Sequence, residues 1–211
     1  ARILRDSGSD GMTQALWLLL DTLGSLLATA CVLRAYLNWL GLGPRNQIGQ
    51  FVVAVTEWIV RPLRGVLPAA RKGPRSIDWA SLAAALVLAL VLAIAYIMIF
   101  GRGRAPAFGA VLLLAVVWLL EWSLWLLTAL VLLLAVLSWV NPHAPIAPTI
   151  DALTQPFLSP IRRFVPLIGG VDLSPLVLIL LLQLALTMLK SIVPSFMAMA
   201  SIVPPFVAMA A

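Results

Sequence analysis

Long apolar runs alternate with short mixed segments along this chain. The runs span about Met12 to Leu40, Asp78 to Phe100, Phe108 to Val140 and Leu173 to Leu189. Each is close to or beyond the roughly 20 residues that a helix needs to cross a bilayer core. The second carries no charge after Asp78. The third has 33 residues. As one straight helix it would rise about 50 Å, against a hydrocarbon core of about 30 Å. It must tilt, protrude or break. A break is expected near Glu121, with residues 108–120 as a short or re-entrant piece.

The segments between the runs differ in kind. From Pro44 to Arg75, Ile48, Phe51, Val52, Val55 and Ile59 recur at helical spacing, with Gln47, Gln50 and Glu57 interleaved. That pattern predicts an amphipathic helix lying in the membrane interface. Pro62 should end or kink it. Arg61, Arg64, Arg71, Lys72 and Arg75 then form a basic edge. A second mixed segment covers Asn141 to Gly170. Residues 1–11 are polar and read as a disordered lead before Met12, a natural start. A secretory signal is the rival reading. It is set aside because the apolar run continues past Cys31 and because Asp21 fits a signal's apolar region badly. The tail repeats itself, SIVPSFMAMA then SIVPPFVAMA. Its prolines, Pro194, Pro204 and Pro205, argue against continuous helix there.

Composition narrows the class. Hydrophobic residues make up 63% of the 211 and charged residues 10%, against roughly 45–50% and 25% in soluble domains. The mean hydropathy is +1.07. A soluble globular enzyme is excluded, and no polar stretch remains to form a soluble domain behind a single anchor. The net charge of +6 comes from bases placed between the apolar runs. There it sets topology and attracts anionic lipid headgroups rather than nucleic acid. Cys31 stands alone, so it forms no intrachain disulfide.

The two halves of the chain match. Asp21 and Glu121 occupy equivalent places. Asn38-Trp39 aligns with Ser138-Trp139, and Thr56 to Arg64 aligns with Thr154 to Arg162. Pro68 aligns with Pro166, and Ile77-Asp78 with Val171-Asp172. Each unit reads as span, interfacial segment, span. Two spans return the chain to its starting side, so the units share one orientation, unlike the inverted repeats of many transporters. Both interfacial segments then face one side. Eight bases lie on that face and five on the other, which favours a cytoplasmic placement of the segments.

These residues resemble the YggT repeat of bacterial inner-membrane proteins. The second unit carries the motif in Trp139, Thr154, Gln155, Pro156, Pro160, Ile161, Arg162, Arg163, Pro166, Gly169, Gly170, Val171, Asp172 and Ser174. The first carries it in Trp39, Thr56, Glu57, Pro62, Leu63, Arg64, Pro68, Ile77 and Asp78. It departs at Trp58 and Gly65 and through ARKGPRS, which replaces the short Gly-Gly link. The resemblance covers roughly residues 12–190 and implies a multi-pass protein of the bacterial inner membrane. Bacterial members are linked to osmotic or salt tolerance. Plastid and cyanobacterial relatives are linked to haem attachment in a cytochrome complex and to membrane-complex biogenesis. None is an established enzyme.

The candidate chemistry is sparse. His143, the only histidine, sits in a turn and supplies neither the two axial ligands of a buried haem nor a zinc site. No cofactor or metal is expected. There is no G-x-S-x-G elbow, Walker loop or H-E-x-x-H motif. Glu121, flanked by Trp118, Trp122 and Trp125, reads as an interfacial acid rather than a proton carrier. Arg34 reads as an arginine that snorkels toward Asn38 and Trp39, with pairing to an acid across the bundle as the alternative. Asp78 and Asp172 read as helix caps, Ser174-Pro175 being a competing cap for the latter. Arg61, Arg64, Arg71, Lys72, Arg75, Arg162 and Arg163 are candidates for binding lipid or a partner.

The expected fold is an all-α membrane bundle of four principal spans, built as two tandem repeats of one orientation, each with an interfacial amphipathic segment. The expected function is non-catalytic. The protein would dock to other integral membrane subunits, assisting their assembly, with anionic lipids as further partners and no nucleic acid. A channel or transport component in osmotic adaptation is the alternative.

Overall fold

The computed structural model describes residues 3–65, 77–100, 108–141, 143–163 and 172–199. They form six α-helices: α1 (Ile3–Trp39), α2 (Gln47–Leu63), α3 (Trp79–Phe100), α4 (Phe108–Val140), α5 (Ala147–Arg162) and α6 (Ser174–Met199). Four stretches are long and apolar enough to cross a membrane: Gly11–Trp39, Trp79–Phe100, Phe108–Val140 and Ser174–Ser191. α1 packs along α3 and α4 along α6, so each unit is a helical hairpin. α2 packs on the first hairpin and α5 on the second. The hairpins meet where α4 packs against α3 and α1.

α2 and α5 sit at the same end of the bundle. Leu37 of α1, Val52 of α2, Leu130 of α4, and Ile150 and Leu153 of α5 form one buried cluster. Tyr36 Oη donates a 2.6 Å hydrogen bond to the Leu153 carbonyl. Two units of one orientation require this placement.

The chain turns from α1 into α2 by local chemistry. Gly41 has φ +73° and ends α1. Its N–H donates to the Asn38 carbonyl and that of Leu42 to the Leu37 carbonyl, each at 3.0 Å. This is a Schellman ending, and a left-handed residue is what it requires. Asn46 then caps α2, its side-chain oxygen accepting from the Gly49 N–H at 2.6 Å. α2 buries Gly49, Val52, Thr56 and Val60, a stripe at helical spacing. Phe51 and Trp58 remain exposed, leaving a second apolar edge on the outside. Pro62 lies in the last turn, where α2 ends as the spacing predicts.

Three expectations are corrected. α4 runs unbroken from Phe108 to Val140, with no break near Glu121. Its interior has no proline, and its only glycine, Gly109, stands in the first turn, so nothing interrupts the backbone ladder. From residue 3 onward the polar lead, expected to be disordered, is helical: α1 already begins at Ile3. Extending an existing helix avoids the nucleation cost, which outweighs the glycines at 8 and 11. α6 continues past Pro194 to Met199. One proline removes one intrahelical hydrogen bond, and the helix carries on beyond it. The repeat at 201–210, with Pro204 and Pro205, lies outside the described residues.

Candidate functional site: the polar joint at the paired end

In the first unit, one polar network ties three helices. Arg34, on α1, is almost wholly buried, with 3% of its side chain exposed. Its Nη1 donates to Thr56 Oγ1 at 2.9 Å and its Nη2 to Glu57 Oε2 at 2.6 Å, both on α2. The snorkelling expectation is therefore corrected: the guanidinium turns into the bundle. A carboxylate and a hydroxyl one helix away compensate its desolvation better than a long reach to water would. Thr56 is fully buried and donates onward to the Val52 carbonyl at 2.7 Å.

The network continues to α3. Asp78, also buried, accepts from Asn38 Nδ2 at 2.7 Å, from Ser81 Oγ at 2.8 Å and from the Ser81 N–H at 3.3 Å. The last of these is an N-cap bond to the third residue of α3. Arg64 reaches both acids, Asp78 at 3.5 Å and Glu57 at 4.0 Å. The hydrogen bond from Arg34 holds the Glu57 carboxyl below its ordinary value of 4.5. Partial burial opposes this, and the charges of Arg34, Arg64 and Arg61 reinforce it.

The second unit repeats part of this joint. Arg162 Nε donates to Asp172 Oδ2 at 2.9 Å, the counterpart of Arg64 on Asp78. Asp172 Oδ1 accepts from the Ser174 N–H at 2.9 Å. The first carbonyl of α6 to accept a helical bond is that of Leu173, so Asp172 binds the helix start from one position further out. Burial alone would raise the Asp172 carboxyl, but the bonds from Ser174 and Arg162 outweigh it and lower the pKa from the ordinary 3.8. Ser174 Oγ, the competing cap, is buried and has no hydrogen-bond partner among the described residues. Thr154 is fully buried like Thr56 and donates to the Ile150 carbonyl at 2.9 Å. The Arg34–Glu57 pair has no counterpart beneath it: Leu134 stands where Arg34 does and Gln155 where Glu57 does.

The remaining candidates are placed as follows. Arg61, Arg64, Arg162 and Arg163 are exposed at the ends of α2 and α5. Arg71, Lys72 and Arg75 lie outside the described residues. Trp39 is partly exposed and stacks on Tyr36 at 5.9 Å, while Trp139 is largely exposed. At the opposite end, Glu121 pairs with Lys190 at 3.2 Å. Lys190 closes the apolar stretch of α6. Glu121 is 18 residues from Trp139, about 27 Å along the helix and close to the thickness of the hydrocarbon core. Trp118 does not simply line a belt there: it packs inward against Trp17 and Tyr96. His143 is exposed.

Sequence reasoning singled out Arg34, Arg64, Asp78, Arg162 and Asp172, but missed the Arg64–Asp78 and Arg162–Asp172 pairs and held an acid partner for Arg34 only as the alternative. Asn38, Glu57 and Ser81 were not singled out as partners. One signal was available: Arg34 and Glu57 are both lost in the second unit, as the halves of one ion pair would be.

A helical membrane protein of two like-oriented hairpins, each closed at one end by an amphipathic helix and an Arg–Asp pair, is the class these features define. The family model CCB3/YggT matches residues 13–99 and 113–193, and the chain belongs to that family. It is 36% identical over 171 residues to a protein named "Uncharacterized protein YggT" of Escherichia coli K12, covering 78% of this chain and 83% of that one. An uncharacterized Vibrio alginolyticus protein from the region 3′ of proC is 34% identical over 168 residues, covering 79% and 89%. One from Pseudomonas aeruginosa is 32% identical over 184 residues, covering 82% and 87%. No solved structure matches the chain.

Proposed function

We propose that this protein is a non-catalytic accessory of the bacterial inner membrane that docks to other integral subunits and assists their assembly. The observation that carries the reading is the doubled end surface. α2 and α5 present Arg61 and Arg64, and Arg162 and Arg163, on one end of the bundle. Phe51, Trp58 and Phe157 offer apolar contact on the same helices. Arginine beside exposed aromatic side chains is the composition of a contact surface. Placing that end in the cytoplasm follows the distribution of bases.

The polar groups of the spans lend less to a transport path. Thr29 donates to the Ser25 carbonyl, Ser123 to Leu119, Thr128 to Leu124 and Thr187 to Gln183, so each hydroxyl is engaged by its own helix. Photo-crosslinking from position 58 or 163 in native membranes tests the docking reading. A discrete membrane-protein adduct, lost when Arg162 and Arg163 become Gln, is expected. Labelling of lipid alone, or robust ion flux through vesicles that Glu121→Gln abolishes, would overturn it.

A further inference from the structure

A cavity of about 460 Å³ opens on the side of the bundle between the two units. Its floor is Ala35 of α1 with Leu127 and Leu130 of α4, all buried. Its rim is Trp39, Ile77, Leu82 and Phe157, each more than a third exposed. On α1 the lining runs from Val32 to Trp39, about 10 Å along the helix axis. On α4 it runs from Ser123 to Leu130. The groove therefore extends from the aromatic end residue Trp39 inward along the spans. Its lining hydroxyls are already engaged: Ser123 Oγ donates to the Leu119 carbonyl at 2.7 Å and Tyr36 Oη to the Leu153 carbonyl at 2.6 Å.

Size and charge decide the occupant. A helix with its side chains is about 10–12 Å across, a cross-section of at least about 80 Å², so the cavity would admit only about one turn. One turn is too little to seat a partner helix inside the groove, whereas a narrow flexible hydrocarbon chain can lie along it. The mouth connects through Asp78 to one exposed guanidinium, that of Arg64. Asp78, which adjoins Ile77, and Asn38, which adjoins Trp39, are hydrogen-bonded at 2.7 Å. Arg64 lies 3.5 Å from the same Asp78 oxygen, with 44% of its side chain exposed. Its fork carries donors that Asp78 and Glu57 do not occupy, and guanidinium suits phosphate. We propose that the groove holds one acyl chain of an anionic phospholipid whose phosphate meets Arg64. The site shares Arg64 and Phe157 with the proposed docking surface but needs no protein partner.

The full-length protein in vesicles containing phosphatidylglycerol with a diazirine in one acyl chain provides the test. Adducts mapped by mass spectrometry should concentrate on Leu82, Leu124 and Leu127. The outward residues Val91, Leu180 and Leu184, which meet ordinary surrounding lipid, serve as the reference. Ser123→Phe should fill the groove and bring its labelling down to that reference level. Leu82→Trp, at the exposed rim, should do the same without touching the core. Arg64→Gln should reduce the preference for phosphatidylglycerol over phosphatidylcholine about fivefold. Equal labelling of groove and outward faces would overturn the proposal. So would labelling displaced by an isoprenoid quinone but not by unlabelled phosphatidylglycerol.

Discussion

Arg34 Nη2 lies 2.6 Å from Glu57 Oε2, and the two residues come from different helices of one unit. Their equivalents in the other unit, Leu134 and Gln155, are both uncharged. A charge pair has been kept whole in one half and dispensed with whole in the other. That is the behaviour of a pair with one buried partner: Arg34 left alone in the bundle would cost more than having neither charge.

The asymmetry makes a mutational prediction. Glu57→Gln leaves the buried Arg34 charge with neutral acceptors alone, the Gln carbonyl oxygen and Thr56 Oγ1, and should cost roughly 2 kcal/mol. Arg34→Leu should cost less, because Glu57 is 40% exposed and still has Arg64 within 4.0 Å. The double change Arg34→Leu with Glu57→Gln recreates the second unit's arrangement and should recover most of the loss. Thermal unfolding in mild detergent should rank the variants in that order. A double variant less stable than either single one would contradict the pairing.

Stability should also depend on acidity. Glu57 and Asp172 both have folded pKa values lowered from their ordinary 4.5 and 3.8. A lowered carboxylate contributes stability that is fully present above its unfolded value and is lost as pH falls through the folded value. Unfolding temperature should hold steady down to about pH 5 and decline below it. Arg34→Leu should flatten the part of that decline due to Glu57. A decline beginning near neutral pH would point to other groups.

Asp78 and Asp172 should not be equivalent. Asp78→Ala removes an N-cap bond and unpairs Asn38 inside the bundle, which should cost about 2 kcal/mol or more. At Asp172 the partner arginine is 41% exposed and can turn to water. Asp172→Ala should cost about 1 kcal/mol. Chemical denaturation of the two variants side by side measures the difference.

Gly49 is the glycine the end helix depends on. A Cβ there would stand 2.0 Å from the Gly43 carbonyl oxygen, a backbone atom that cannot step aside. Gly49→Ala should cost about 3 kcal/mol or prevent α2 from docking. Gly109→Ala, where a Cβ meets nothing within 4 Å, should be neutral or stabilise by up to about 1 kcal/mol. Limited proteolysis around residues 40–50 should separate the two, with faster cleavage in the Gly49 variant alone.

The sequence by itself determined the spans, the two end helices, the duplication and the shared orientation of the units. Each is written in local signals: runs of Leu, Ala and Val long enough to cross hydrocarbon, helical spacing over residues 48–59, and the match of Thr56 to Arg64 with Thr154 to Arg162. Interruptions were harder to read. Glu121 and Pro194 both suggested one, yet both lie inside continuous helices, because packing and an intact hydrogen-bond ladder override a single unfavourable residue. Only the tertiary structure decided what the charges do. Arg34 could reach the membrane edge or an acid 23 positions away, and the choice rests on where α2 packs against α1. The Arg64–Asp78 and Arg162–Asp172 pairs and the lateral groove likewise depend on distances between helices. A sequence fixes side-chain spacing along one helix, but the separation of two helices emerges from the packing of all of them.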